Sequence, residues 1–111
     1  MSWIELFLLM IGGHAIGDYA LQSDFLAKAK NHKAPLLGVP WYQALFAHSA
    51  IHGVIVGLIT GSWVLGLAET IAHAMTDYGK SHGVITYNQD QALHVIHKAV
   101  WASAAFAITQ L

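Results

Sequence analysis

The sequence predicts an all-α fold, an integral membrane four-helix bundle with antiparallel, up-down topology, on three observations. Of the 111 residues, 56% are hydrophobic and only 10% charged, and mean hydropathy is +0.51, far from the balance of a water-exposed domain. The apolar residues fall into four segments of about 20 residues, the bilayer-spanning length. Within those segments the few polar residues recur mostly at every fourth position, a step that returns to one side of an α-helix. The stripes are His14, Asp18, Gln22; His48, His52; Glu69, His73, Asp77; and, with a shorter step, Gln91, His94, His97.

The first helix is expected over residues 3–22, where Gly12, Gly13 and Gly17 weaken an isolated helix but let backbones approach in a membrane. No basic stretch precedes its apolar run and the polar stripe begins inside it, so it reads as a retained helix rather than a cleaved signal. Residues 23–40 hold Lys28, Lys30, Asn31, His32, Lys33, Pro35 and Pro40, and form a loop with room for a short interfacial helix. The second helix starts at Trp41, behind Pro40, and runs to Thr60, with Gly53, Gly57 and Gly61 as a small-residue track. Gly61 and Ser62 turn the chain into a third helix, 63–78, which Gly79 ends. After a polar loop, 79–89, the fourth helix spans 90–110, with Asp90 as N-cap or first-turn acid. The length leaves no second domain.

Alternating helix directions would bring all four stripes to one end of the bundle, the end that carries the two longer loops. Lys28, Lys30, Lys33 and Lys80, four of the five lysines, lie in those loops. The positive-inside rule then puts the polar end in the cytoplasm and both termini outside an inner membrane.

A formal net charge of -1 with no arginine provides no basic footprint for nucleic acid, and the absence of cysteine leaves His, Asp and Glu as the metal-ligand types. An ionisable group in a span costs at least about 2.5–3.5 kcal/mol on insertion scales, so a chain carrying many of them needs a compensating role. Imidazoles and carboxylates on facing helices are the donor set of zinc and iron carboxylate sites. The expected ligands of a divalent metal are His14, Asp18, His48, His52, Glu69, His73, Asp77 and His94. Zinc is the first expectation, with manganese and iron close behind. The set exceeds the needs of one tetrahedral ion, so the surplus orients ligands or serves a second ion.

Glu69 and Asp18 are the candidate general bases, and Gln22, Lys28, Lys30, Gln91 and His97 the candidate substrate contacts. Glu5 and Asp90 read as interfacial or capping groups, Asp24 as a weaker candidate past the first helix, and His32 and His82 as solvated loop residues. Trp3, Trp41 and Trp63 suit interfacial anchoring, and Trp101 packing.

The pattern His14-Ala-Ile-Gly-Asp18-Tyr-Ala-Leu-Gln22-Ser-Asp24, with a lysine-rich loop, His48-x-x-x-His52, Glu69-x-x-x-His73-x-x-x-Asp77 and His94, resembles the small bacterial and phage membrane proteins grouped as domain of unknown function 3307. The resemblance covers most of the chain and implies a membrane protein with grouped polar residues, but no reaction. A looser similarity is to membrane-bound metal-dependent hydrolases, which also set His and Asp motifs on transmembrane helices.

These readings lead to one expected function and three competitors. The first is a metal-dependent hydrolase acting on a phosphoester or ester of a lipid or amphiphile at the cytoplasmic leaflet, with the bilayer as its partner and a homo-oligomer compatible with it. A metal-ion or proton carrier is the second. A haem-binding bundle, which Glu69 and Asp77 disfavour, and a non-enzymatic phage membrane protein with a structural polar core complete the set.

Overall fold

The computed structural model describes residues 1–111, and all of its regular structure is helical. Helix α1 (Trp3–Ala15) opens with a capping box: the Ser2 hydroxyl accepts from Glu5 N, and the Glu5 carboxylate accepts from Ser2 N. It passes directly into a π-helical turn, Ile16–Ala20, so the first helix is not a single α-helix to residue 22 as expected. The short helix α2 (Asp24–Ala29) is capped by Ser23. Then follow α3 (Trp41–Thr60), α4 (Trp63–His82) and α5 (Tyr87–Thr109).

Two further boundaries differ from the sequence expectation. Gly79 does not end α4; the helix runs on to His82 and stops at Gly83, whose φ of 88° places it in the left-handed region that only glycine adopts cheaply. Thr86 and Gln89 form a second capping box, so α5 begins at Tyr87. The expected loop at 79–89 therefore shrinks to a tight turn. Asp90, expected as N-cap or first-turn acid, stands in the first turn of α5 and is buried.

α3 packs on α4, α1 on α5 and α3, and α4 on α5. The Trp3 indole N–H donates to Ser103 Oγ at 2.9 Å, tying the start of α1 to the end of α5. Close approach of α3 to α4 rests on two glycines: a Cβ on Gly66 would lie 2.7 Å from Gly53 O, and one on Gly53 would lie 2.7 Å from Gly66 O.

The interior has two halves. Near the chain ends and the Gly61–Ser62 turn, Leu6, Met10, Val56, Leu65, Ala102 and Ala105 form an apolar core. In the other half the buried polar side chains are His14, His48, Ser49, His52, Glu69, His73, Thr76, Asp77, Asp90, His94 and Lys98, with Ala29, Ala44 and Leu45 among them. Meanwhile Leu8, Phe46, Val54, Leu58, Leu67, Ile71, Met75 and Ile96 face outward. This inverts the usual rule that charged residues are almost never fully buried. Two helices, α3 and α5, are long and apolar enough to cross a membrane.

Gly66→Ala is expected to lower stability by about 1–3 kcal/mol, because the added methyl meets backbone rather than a movable side chain. Gly12, which has nothing within 4 Å of an added Cβ, should accept alanine with unchanged or higher stability. Thermal unfolding of the two variants in one detergent checks the contrast.

Candidate metal centre

The centre is built around Asp18, which sits on the π turn rather than on α1 itself. A π turn holds an extra residue per turn, re-aims the side chains it carries, and is frequent at functional sites. Beside it, Gly17 leaves room for an imidazole: a Cβ there would lie 2.5 Å from His52 Cε1. α3 supplies His48 and His52, and α4 supplies Glu69, His73 and Asp77, each set at four-residue spacing. α5 supplies Asp90, His94 and Lys98 on the same spacing.

Asp18 Oδ1 lies 2.9 Å from His52 Nε2, 3.1 Å from His48 Nε2 and 3.5 Å from His73 Nε2. His48 Nε2 and His73 Nε2 are 3.2 Å apart. Asp77 Oδ2 is 3.4 Å from His73 Nε2 and 3.5 Å from His48 Nε2. Donors around one tetrahedral ion with bonds of about 2.0–2.1 Å are separated by about 3.3–3.4 Å, which these edges approximate. Asp18, His48, His52 and His73 form one group able to hold a metal ion, and His73, Asp77 and His94 a second, overlapping one.

His73 is the most firmly oriented imidazole. Its Nδ1 donates to Glu69 Oε1 at 3.1 Å, and Glu69 also accepts from Lys98 Nζ at 2.5 Å and from Trp101 Nε1 at 2.6 Å. Because the Glu69 carboxylate can only accept, His73 carries a proton on Nδ1 and turns Nε2 to the centre. The rings of His14, His48, His52 and His94 have no partner on Nδ1, so their hydrogen-bonding capacity is directed inward through Nε2.

A polar cavity of about 330 Å³ opens onto this centre, with Asp18, Asp77, Asp90 and Gln91 on its inner wall and Tyr19, Gln22, Lys30, Asn31, Lys80 and Tyr87 around it. The Lys30 ammonium donates to Asp77 Oδ2 at 2.8 Å, and the Lys80 ammonium stands 5.5 Å from the Tyr87 ring centre. Carboxylates outnumber lysines in this buried half, and a cation would offset the excess.

The structure brings Asp18, His48, His52, His73, Asp77 and His94 together, with His14 alongside: His14 Nε2 donates to Gln91 Oε1 at 2.9 Å and lies 3.5 Å from Asp18 Oδ2. Glu69, expected as ligand and base, stands instead behind His73 with both oxygens engaged. Of the expected substrate contacts, Gln22, Lys30 and Gln91 line the cavity. Lys28 does not; it is exposed and pairs with Asp24 at 3.5 Å. His97 is turned toward Trp101, ring centres 6.3 Å apart, and its Nδ1 has no hydrogen-bond partner.

His32 and His82, expected as solvated loop residues, meet at 3.1 Å at the surface, and His32 stacks on Tyr78 with ring centres 3.9 Å apart. Partial burial first, then His82 and Lys33, hold His32 below the usual imidazole range. Lys98, Trp101 and Asp90 were missed as members of the polar interior. Asp90, His94 and Lys98 are four apart, a stripe that the choice of Gln91, His94 and His97 obscured.

Comparison with curated proteins and with solved structures found no match, so the looser resemblance to membrane-bound hydrolases gains no support there. A family model described as a protein of unknown function matches residues 6–111, nearly the whole chain and all of the residues that form the centre. The chain therefore belongs to the DUF3307 family.

Proposed function

We propose that the chain is a four-helix integral membrane bundle and a metal-dependent hydrolase, acting on a phosphoester or ester of an amphiphile at the cytoplasmic leaflet of the inner membrane. One observation carries the reading: Asp18 and Asp77 belong at once to the imidazole cluster and to the wall of a lysine-bearing cavity. A ligand in that cavity would touch the metal shell directly.

Asp18, His48, His52 and His73 would hold the ion, with Asp77 completing the shell or yielding its place to substrate. A zinc, manganese or iron ion there would lower the pKa of a coordinated water to about 7 and polarise the scissile phosphoryl or acyl group. Lys30 and Lys80 would hold an anionic headgroup, with Gln22 and Asn31 as neutral donors beside them. Asp18 keeps the role of proton acceptor through Oδ2, the oxygen turned toward Gln91 at 3.1 Å. Glu69 fixes the His73 tautomer.

A carrier needs a route through the protein, and the polar interior ends at the apolar core of Leu6, Met10, Val56 and Leu65. A pocket open at one end suits chemistry on a substrate that enters and leaves by the same side.

Detergent-purified protein should contain stoichiometric zinc, manganese or iron by elemental analysis, and His73→Ala or Asp18→Ala should lose it; metal-free wild type would sink the reading. Lys80→Ala should leave metal content and kcat unchanged. It should raise KM for an anionic phosphoester by roughly 2- to 5-fold, the worth of about 0.5–1 kcal/mol for a solvent-facing charge.

Glu69→Gln alone should destabilise by about 3–5 kcal/mol by leaving the Lys98 ammonium buried without its counter-charge. In the double variant Glu69→Gln/Lys98→Met stability should largely return while metal affinity stays about 10- to 100-fold down, the usual cost of losing a partner behind a metal ligand. Unfolding curves and metal competition titrations on both variants separate these two effects.

A further inference from the structure

We infer that the cluster is a dinuclear centre, with a second divalent cation bound by His14, His94 and Asp90 and with Asp18 and Asp77 shared between the two ions. This deepens the metal reading above and rests on it; with both ions bound, Asp18 Oδ2 is a ligand and no longer the proton acceptor. Both shared carboxylates are split in the same way. Asp18 turns Oδ1 to His48 and His52, at 3.1 and 2.9 Å, while its Oδ2 lies 3.5 Å from His14 Nε2. Asp77 turns Oδ2 to the Lys30 ammonium at 2.8 Å and to His73 and His48 at 3.4 and 3.5 Å, while its Oδ1 lies 3.1 Å from His94 Nε2. One oxygen of each acid thus faces each of two imidazole groups, the arrangement by which carboxylates bridge paired ions about 3.5–4 Å apart.

Asp90 is the independent observation. It is 3% exposed, its Oδ2 lies 3.4 Å from His94 Nε2, and its Oδ1 has no partner at all. A buried carboxylate with a bare oxygen is costly unless a cation meets it. Only Gln91 now stands in that place: its amide Nε2 donates to Asp18 Oδ2 at 3.1 Å and to Asp90 Oδ2 at 3.2 Å, while its Oε1 accepts from His14. A weak neutral donor there spans two anionic oxygens and an imidazole that one cation would satisfy together. Gln91 is half-buried on the cavity wall, so its amide can swing toward the cavity without unpacking α5.

Glu69 shows how a residue of this protein supports a ligand from outside, through the far nitrogen of His73. His14 and His94 are placed differently. They present Nε2 to the second oxygens of the shared acids, and their Nδ1 atoms have no partner.

The test is the metal stoichiometry of the full chain in detergent, loaded separately with zinc and with manganese. Wild type should hold two zinc ions per chain, and its manganese form should show the electron paramagnetic resonance of an exchange-coupled pair. Asp90→Asn and His14→Gln should each hold one ion and give the six-line spectrum of isolated manganese. The wild-type measurements need no variant, so a variant that misfolds leaves the question answerable. One zinc ion per chain at saturation in wild type, or two in both variants, would overturn the dinuclear assignment and leave the hydrolase reading standing. No bound ion would overturn both.

Discussion

Asp18 is where the long helices are fastened together, and the polar half of the protein depends on its carboxylate. From the π turn that follows α1 it reaches His48 and His52 on α3, His73 on α4 and Gln91 on α5. Inside a protein such contacts are stronger than in water, and leaving them unmade is correspondingly expensive. A one-residue change in the phase of the turn would aim the carboxylate away from α3. Gly17 is bound to the same geometry, since any side chain there would occupy the place of the His52 ring.

The inverted packing explains why polar contacts and glycines carry so much of the architecture. Lipid tails are as apolar as leucine, so on the membrane reading burial of apolar side chains between helices offers little drive, and close packing of small residues and interhelical hydrogen bonds take over. Both devices are present, one in each part of the molecule. Gly53 and Gly66 set the α3–α4 contact by backbone approach, and the His/Asp cluster joins all four long elements. The apolar core of Leu6, Met10 and Val56 closes the opposite half and makes the protein one-sided.

The elements were legible where the pattern was unbroken and were misjudged where a local rule had two readings. α3 matches its expected bounds, Trp41–Thr60, because Pro40 and the Gly61 turn are unambiguous. Gly79 was read as a stop, yet a glycine inside a helix costs only about 1 kcal/mol, and Gly83 meets the left-handed requirement instead. Of the two places expected for Asp90, Thr86-x-x-Gln89 takes the cap with its own capping signature, and Asp90 stands in the first turn, buried. The four-residue stripes pointed to most of the residues that meet at the centre, because period alone decides which side of a helix they share. Period cannot say how far from the centre a residue stops, which is why Glu69, two turns from Asp77 on the same stripe, reads as a ligand from sequence although it lies behind His73.

That misplacement has a physical logic of its own. Lys98 would be intolerable in this interior without a counter-charge, and Glu69 provides it, with the Trp101 N–H engaging the second oxygen. The pair is nearly neutral as seen from outside, so it adds little field at Asp18, yet it retains one directed interaction, the bond from His73 Nδ1. A neutral acceptor would hold the ring less firmly. The ion pair therefore does what neither partner could do alone: it keeps a proton on His73 Nδ1 and holds the ring in place, and leaves one imidazole of the cluster preset for binding while the other four are oriented by packing and by whatever the centre contains.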